Sequence, residues 1–267
     1  MNRYRFDSEN HIHLLDERPL MGTTTILKEV YPPFLSWWAS RLALEPLGRL
    51  HHEDENKNPV SLEIRVQEAA KFLKELCELN AEEYLDLLDN AYRAHDKKKK
   101  AEGKKGIKAH DEVEDYIKRC IAENEGKPLA GDGGVKQFTE WALEDVKKFI
   151  FSEACVYSEK LWVGGIADFG FMDKGDKFII GDRKTAKGIY NTNFYQTAGY
   201  GIQLWENGAF TEEGGKILEP MQAAGYCIFQ QKGGGKVKVQ YRYDAPLLER
   251  IFVNTVEVYK DKKNYQQ

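Results

Sequence analysis

The chain has 267 residues, 42% of them hydrophobic, which suits a soluble globular protein with a sizeable core, as one large domain or a domain with a helical extension. A formal net charge of -4 argues against a histone-like coating role and still allows an enzyme with a local basic surface. The four cysteines, Cys77, Cys120, Cys155 and Cys227, stand far apart without a Cys-x-x-Cys pair, so neither a structural zinc site nor a cysteine-held iron–sulfur cluster is expected, and a reducing cytoplasm fits them.

Tyr4–Phe6 and His11–Leu15, joined by the turn residues Asp7-Ser-Glu-Asn10, read as a hairpin. Gly22–Lys28 follows, with a threonine placed to cap a helix that begins near Ile26. After Pro32-Pro33, residues 34–44 read as an aromatic-rich helix. Its Trp37 and Trp38 could stack on bases, although adjacent helical residues face different ways, which favours packing. Residues 59–93 carry apolar positions at helical spacing with a break at Asn80, and so predict two helices. Lys97-Lys-Lys-Lys100, Lys104 and Lys105 then form either a solvated loop or helix end, or a surface that tracks phosphates. Gly106–Ile117 reads as a helix on which His110 and Glu114 share a face.

A glycine- and proline-bearing loop spans 126–134, a helix is predicted over Val135–Phe149, and Ile150–Tyr157 reads as a strand. Two further strands surround the turn chemistry of Asp173-Lys-Gly-Asp-Lys177: an apolar, β-branched and aromatic run from Leu161 to Met172, and one resuming at Phe178. A helix over Asn193–Glu206 places Gln196 and Tyr200 at i and i+4. Strands at 225–230 and 237–243 enclose Lys232-Gly-Gly-Gly-Lys236, which lacks Walker spacing, and Pro246–Lys260 closes the chain as an amphipathic helix. The opening residues contain no signal-like apolar run and no stretch is long enough to span a bilayer, so a cytoplasmic protein without membrane association is expected.

The charges inside the central apolar run need a reason, because buried charges are costly unless paired or bound to metal. Asp182 and Lys184 point to one face of a strand, and hairpin pairing brings Asp168 beside Asp182. Converging carboxylates repel unless a divalent cation joins them, and hard oxygen ligands suit magnesium or manganese. A lysine alongside can stabilise charge on a phosphoryl oxygen or orient a water.

Gly-Gly-Ile-Ala-Asp168, then Asp182-Arg-Lys184-Thr185, then Gln196-Thr-Ala-Gly-Tyr200 resemble, in order and in strand–turn–strand–helix context, the signature of the PD-(D/E)xK nuclease superfamily, RecB-type exonuclease branch. Gly106-x-x-x-His110-x-x-x-Glu114 resembles the upstream histidine motif of that group, Glu153 stands where the family often has a glutamate, and residues 24–39 are similar to the start of phage-borne members. The resemblance implies an α/β, restriction-endonuclease-like fold, a mixed central sheet flanked by helices, with an N-terminal hairpin and helical region over 1–105 and a nuclease core over 106–267. It implies one or two Mg2+ or Mn2+ ions held by His110, Asp168, Asp182, the Arg183 carbonyl and Glu153, with Lys184 acting on the attacking water and Glu114 supporting His110. Thr185, Gln196 and Tyr200, together with Lys97, Lys98, Lys104 and Lys105, are expected along the DNA. The implied activity is DNA exonucleolysis in phage or bacterial recombination and repair, with DNA ends or single strands as substrate and a recombinase or single-strand-annealing protein as partner. A structure-specific or RNA-acting nuclease of the same fold, or a silent DNA-end-binding module, remains open.

Overall fold

The computed structural model describes residues 3–32, 42–43, 59–130, 135–186, 188–231 and 237–264. The expected helix over 34–44, with Trp37 and Trp38, and the 232–236 loop lie outside them, apart from helical Leu42–Ala43. The first hairpin forms where its turn residues place it: β1 (Tyr4–Asp7) pairs antiparallel with β2 (Ile12–Leu15), and β3 (Arg18–Pro19) completes a three-stranded sheet. β4 (Met21–Gly22) leads into α1 (Thr23–Val30), which starts three residues before the expected Ile26 and has Gly22 at its cap position. No side chain caps it, because glycine at the cap position has none, and the Thr23 hydroxyl in the first turn instead donates to the Gly164 carbonyl and accepts from Gln203.

The chain divides into two compact units, Pro33–Gly106 and a second made of Met1–Pro32 with Ile107–Gln267. The first 32 residues therefore group with the core and not with the helical region, as a boundary at 105 alone would have it. In the helical unit, α2 (Leu62–Cys77) begins at Ser61, whose hydroxyl accepts the Ile64 N–H. The break at Asn80 is the start of α3 (Ala81–Glu123): Asn80 and Glu83 exchange side-chain-to-backbone hydrogen bonds, a reciprocal cap. This helix runs on through the lysine-rich segment and through His110, so the lysines stand in a helix and the division between the units falls within it.

In the core unit α4 (Lys136–Asp145) stops four residues short of the expected end at Phe149, because Val146 is already extended at φ -91°, ψ 126°. Val146 and Phe149 are three apart, a helical spacing, and the irregular register between Val146 and Lys148 is what lets both face one cluster from a strand. β5 (Val146–Ser158), β6 (Val163–Asp173) and β7 (Phe178–Lys184) are successive antiparallel neighbours. The Asp173 carboxylate closes the β6–β7 turn by accepting the N–H groups of Gly175 and Lys177. α5 (Asn191–Asn207), the short strands β8 (Ala209–Phe210) and β9 (Lys216–Leu218), β10 (Gly225–Gln230), β11 (Lys238–Arg242) and α6 (Ala245–Asn264) complete the unit.

The main sheet has the order β11-β10-β7-β6-β5-β8-β9, with β4 beside β6, and it is mixed: β10 runs parallel to β7 and β4 to β6, while the other pairs are antiparallel. One face packs Ala154, Val156, Ala167, Ile180 and Ile228 against Phe194, Ala198 and Leu204 of α5 and Leu248 of α6. The other packs Phe149, Phe169, Phe171, Ile179 and Phe229 against Val113, Tyr116 and Ile117 of α3 and Phe138 and Trp141 of α4. This is a mixed α/β architecture with a central sheet flanked by helices. Among the described residues no helix is long and apolar enough to cross a membrane.

Candidate functional site

Two glycines prepare the strand that carries Asp168. A Cβ at Gly165 would meet the Tyr200 ring at 2.5 Å, and one at Gly164 would meet His13 at 2.6 Å, so the glycine pair lets α5 and the first hairpin approach β6 closely. The motif glycines upstream of Asp168 are thus explained by packing on either side of the strand.

At Asp168 the regular alternation of β6 breaks. Ala167 packs on the α5 and α6 side, yet Phe169, two residues on, packs on the α3 and α4 side. β5 breaks at the same level: Phe151 and Ala154, three apart, share one cluster. The residue responsible is Glu153, held at φ 49° in the left-handed region inside a strand, a costly conformation for a residue with a Cβ. With Ser152 paired to Phe169 and Ala154 to Ala167, Glu153 faces Asp168 across the ladder.

This double break gathers three ligand-type side chains. Donor atoms of His110, Glu153 and Asp168 lie within 4.8 Å of one another. His110 Nδ1 is 3.8 Å from Asp168 Oδ2, which also accepts the Arg183 backbone N–H at 2.8 Å. Burial, reinforced by the charge of Arg183, holds His110 below its ordinary pKa and so keeps the imidazole neutral at neutral pH, while a backbone hydrogen bond with Arg183 acts in the opposite sense. Burial, then repulsion by Asp168 and Glu114, pushes the Glu153 carboxyl up to about 8. Burial also raises Asp168, against the pull of Lys184 and the Arg183 N–H. Glu114 shares this neighbourhood but pairs with Lys118 and makes no hydrogen bond to His110 among the described residues.

Asp182 stands beside this trio and is not a member of it. It is fully buried, and Lys184 Nζ lies 2.8 Å from its carboxylate. Lys184 also donates to Gln196 Oε1 at 3.2 Å, and Gln196 Nε2 donates to the Tyr200 hydroxyl at 2.7 Å, so one bonded line runs from Asp182 through Lys184 and Gln196 to Tyr200. Burial lowers the lysine's affinity for its proton, but Asp182 and Asp168 outweigh it, and Lys184 is raised and stays a cation. Asp182 is itself raised by burial, partly offset by Lys184.

Whether the donors suit a hard divalent cation can be judged from two features of the chain itself. The trio combines one neutral imidazole with two carboxylates that repel each other, and the fully buried Asp182 beside it brings a third carboxylate that Lys184 only partly offsets. Both fit such an ion.

Tyr200, expected along a DNA strand, is only 3% exposed, so its ring belongs to the core and its hydroxyl serves to hold Gln196. Thr185 follows the end of β7 and is half-buried. Lys97 and Lys98 are exposed, with Lys97 donating to Asn90. Lys104 and Lys105 are described in their helical backbone only, and all four lysines belong to the helical unit. The left-handed Glu153 and the Thr23–Gln203 bond to Gly164 carry no signal in the sequence: glutamate does not advertise a positive φ, and the bonded groups lie far apart along the chain.

No protein-family model matches the chain, and no curated protein matches it either.

Proposed function

We propose that the chain is a divalent-metal-dependent deoxyribonuclease of the restriction-endonuclease-like fold, resembling the RecB-type branch of the PD-(D/E)xK superfamily and removing nucleotides from DNA ends. The observation that carries this reading is the convergence of His110, Glu153 and Asp168 next to the Asp182–Lys184 pair on the neighbouring strand. Magnesium or manganese, held by the trio with Asp182 and, as the resemblance implies, the Arg183 carbonyl, would supply Lewis acidity toward a phosphodiester.

The chain's own residues account for the rest. Hydrolysis forms a bond from a water oxygen to phosphorus and breaks the bond to the 3′-oxygen, with extra negative charge on the phosphoryl oxygens between. Lys184, fixed by Asp182 and Gln196, is a pre-oriented cation for that charge. Because its pKa is raised, it serves as a charge and hydrogen-bond donor and not as the base that takes the water's proton. Asp182 and Gln196 are positioning groups, and Tyr200 positions Gln196.

The test is digestion of end-labelled linear DNA against covalently closed circular DNA with magnesium. Loss of label from the linear form alone supports the exonuclease reading. Nicking of the circle assigns the site to an endonuclease, and binding to ends without cleavage under any divalent ion assigns it to a binding module.

A further inference from the structure

The side chain between the two site residues of β7 is itself unusual. Arg183 is 5% exposed, and its Nε and Nη1 are buried without a hydrogen-bond acceptor among the described residues. Strand alternation sends it away from Asp182 and Lys184, to the side on which Ile179 packs against α3 and α4. Its own backbone N–H donates to Asp168 of the His110–Glu153–Asp168 trio at 2.8 Å, and on that side its charge is felt by His110 of α3. It forms no ion pair among the described residues, and the carboxylate of Asp168 is engaged by the Arg183 backbone N–H instead. A buried cation with open donors is costly and persists where an acceptor comes to it. The planar fork of a guanidinium matches the oxygens of a phosphate.

We infer that the Arg183 guanidinium is the anion-receiving group of this site, taking non-bridging oxygens of a phosphate beside the His110–Glu153–Asp168 trio. Arg183 stands between Asp182 and Lys184 in sequence and points to the opposite side of β7 from both, so its donors are separate from the Asp182–Lys184 pair. This inference deepens the proposed function and rests on it for a DNA phosphodiester as the source of the phosphate. A free phosphate would use the same donors.

The full chain and its Arg183→Met and Arg183→Lys variants are to be compared in two arms. In the first, each protein is melted alone, with manganese, and with inorganic phosphate. In wild type both additions raise the melting temperature. Arg183→Met should keep the manganese response and lose most of the phosphate response, and Arg183→Lys should recover part of it. In the second arm, binding of a 5′-phosphorylated oligonucleotide in calcium should weaken about tenfold or more in Arg183→Met, as the loss of a charged hydrogen bond implies. A phosphate response equal in wild type and Arg183→Met, or absent from wild type, overturns the inference. So does joint loss of both responses in Arg183→Met with no recovery of phosphate binding in Arg183→Lys, which marks a structural cation. If Arg183→Met does not fold, Arg183→Lys decides alone: it should keep manganese binding and bind phosphate more weakly than wild type, and an unchanged phosphate response counts against the inference. Phosphate binding that depends on Arg183, in a chain that ignores oligonucleotides, leaves the anion site standing and removes the nuclease reading.

Discussion

Glu153 and Asp168 face each other across β5 and β6, and Glu153 reaches that place only through a left-handed backbone, φ 49°. Backbone strain of this kind costs about 1–3 kcal/mol, and burial next to a second carboxylate adds to it, so the position is held against stability. Glu153→Gly should therefore raise the stability of the chelated protein by about 1–3 kcal/mol, since glycine tolerates the backbone and removes the buried carboxyl. Urea titration with a chelator present measures it. Glu153→Ala, which keeps the strain, should gain less. Equal stability of wild type and Glu153→Gly would mean that the position is not strained.

A second expectation concerns the cation. Manganese or magnesium at a hundred times its dissociation constant should stabilise the wild type by about 2.7 kcal/mol, read as a rise in melting temperature. Asp168→Asn with Asp182→Asn should lose most of that rise. His110→Ala should lose part of it, because His110 is in the trio and Asp182 stands beside it. A double variant stabilised as fully as wild type would place the ion elsewhere.

Much of this site is legible in the sequence because strand alternation is simple. An aspartate and a lysine two residues apart in an apolar run share a face, and the structure brings them to 2.8 Å. What escapes is whatever depends on non-local geometry. Glu153 and Asp168 meet through coincident breaks in two strands, which residue type does not encode. The long helix through His110 is obscured because Gly103 and Gly106 weaken helical propensity and the lysine run carries no apolar period, while its far end is held by Val113, Tyr116 and Ile117 in the core. The two-residue strands β3, β4 and β8 are too short for any period to show.

His13 offers a pH test away from the site. It is 6% exposed, stacked on Tyr4 and hydrogen-bonded to the Tyr4 hydroxyl at 2.7 Å. Burial, with a smaller contribution from His11, pushes it down to about 4. The unfolded chain takes up this proton near pH 6.5 and the folded chain only near 4. Its stabilising effect is therefore complete above about pH 6.5 and lost as pH falls toward 4, by up to about 3 kcal/mol. His13→Phe should flatten that part of the stability–pH curve relative to wild type. Parallel curves would show that His13 is not buried neutral.

Gln196 accepts a hydrogen bond from Lys184, and in the proposed reaction it acts through that lysine, so its loss should be milder than that of the lysine. Gln196→Ala should leave oligonucleotide affinity in calcium near wild type and lower single-turnover cleavage by about tenfold, as the loss of one orienting hydrogen bond of 1–1.5 kcal/mol does. A change in affinity with cleavage intact would place Gln196 on the substrate instead.

The most direct measurement is single-turnover cleavage of end-labelled linear DNA at saturating enzyme with magnesium, wild type against Lys184→Ala and Lys184→Arg, beside binding measured in calcium. Lys184→Ala should bind DNA nearly as wild type and cut about a hundredfold more slowly or worse, and Lys184→Arg should not recover fully, because a planar guanidinium does not replace a compact ammonium held by Asp182 and Gln196. Cleavage by Lys184→Ala at the wild-type rate, or no cleavage by wild type with any divalent ion, contradicts the account.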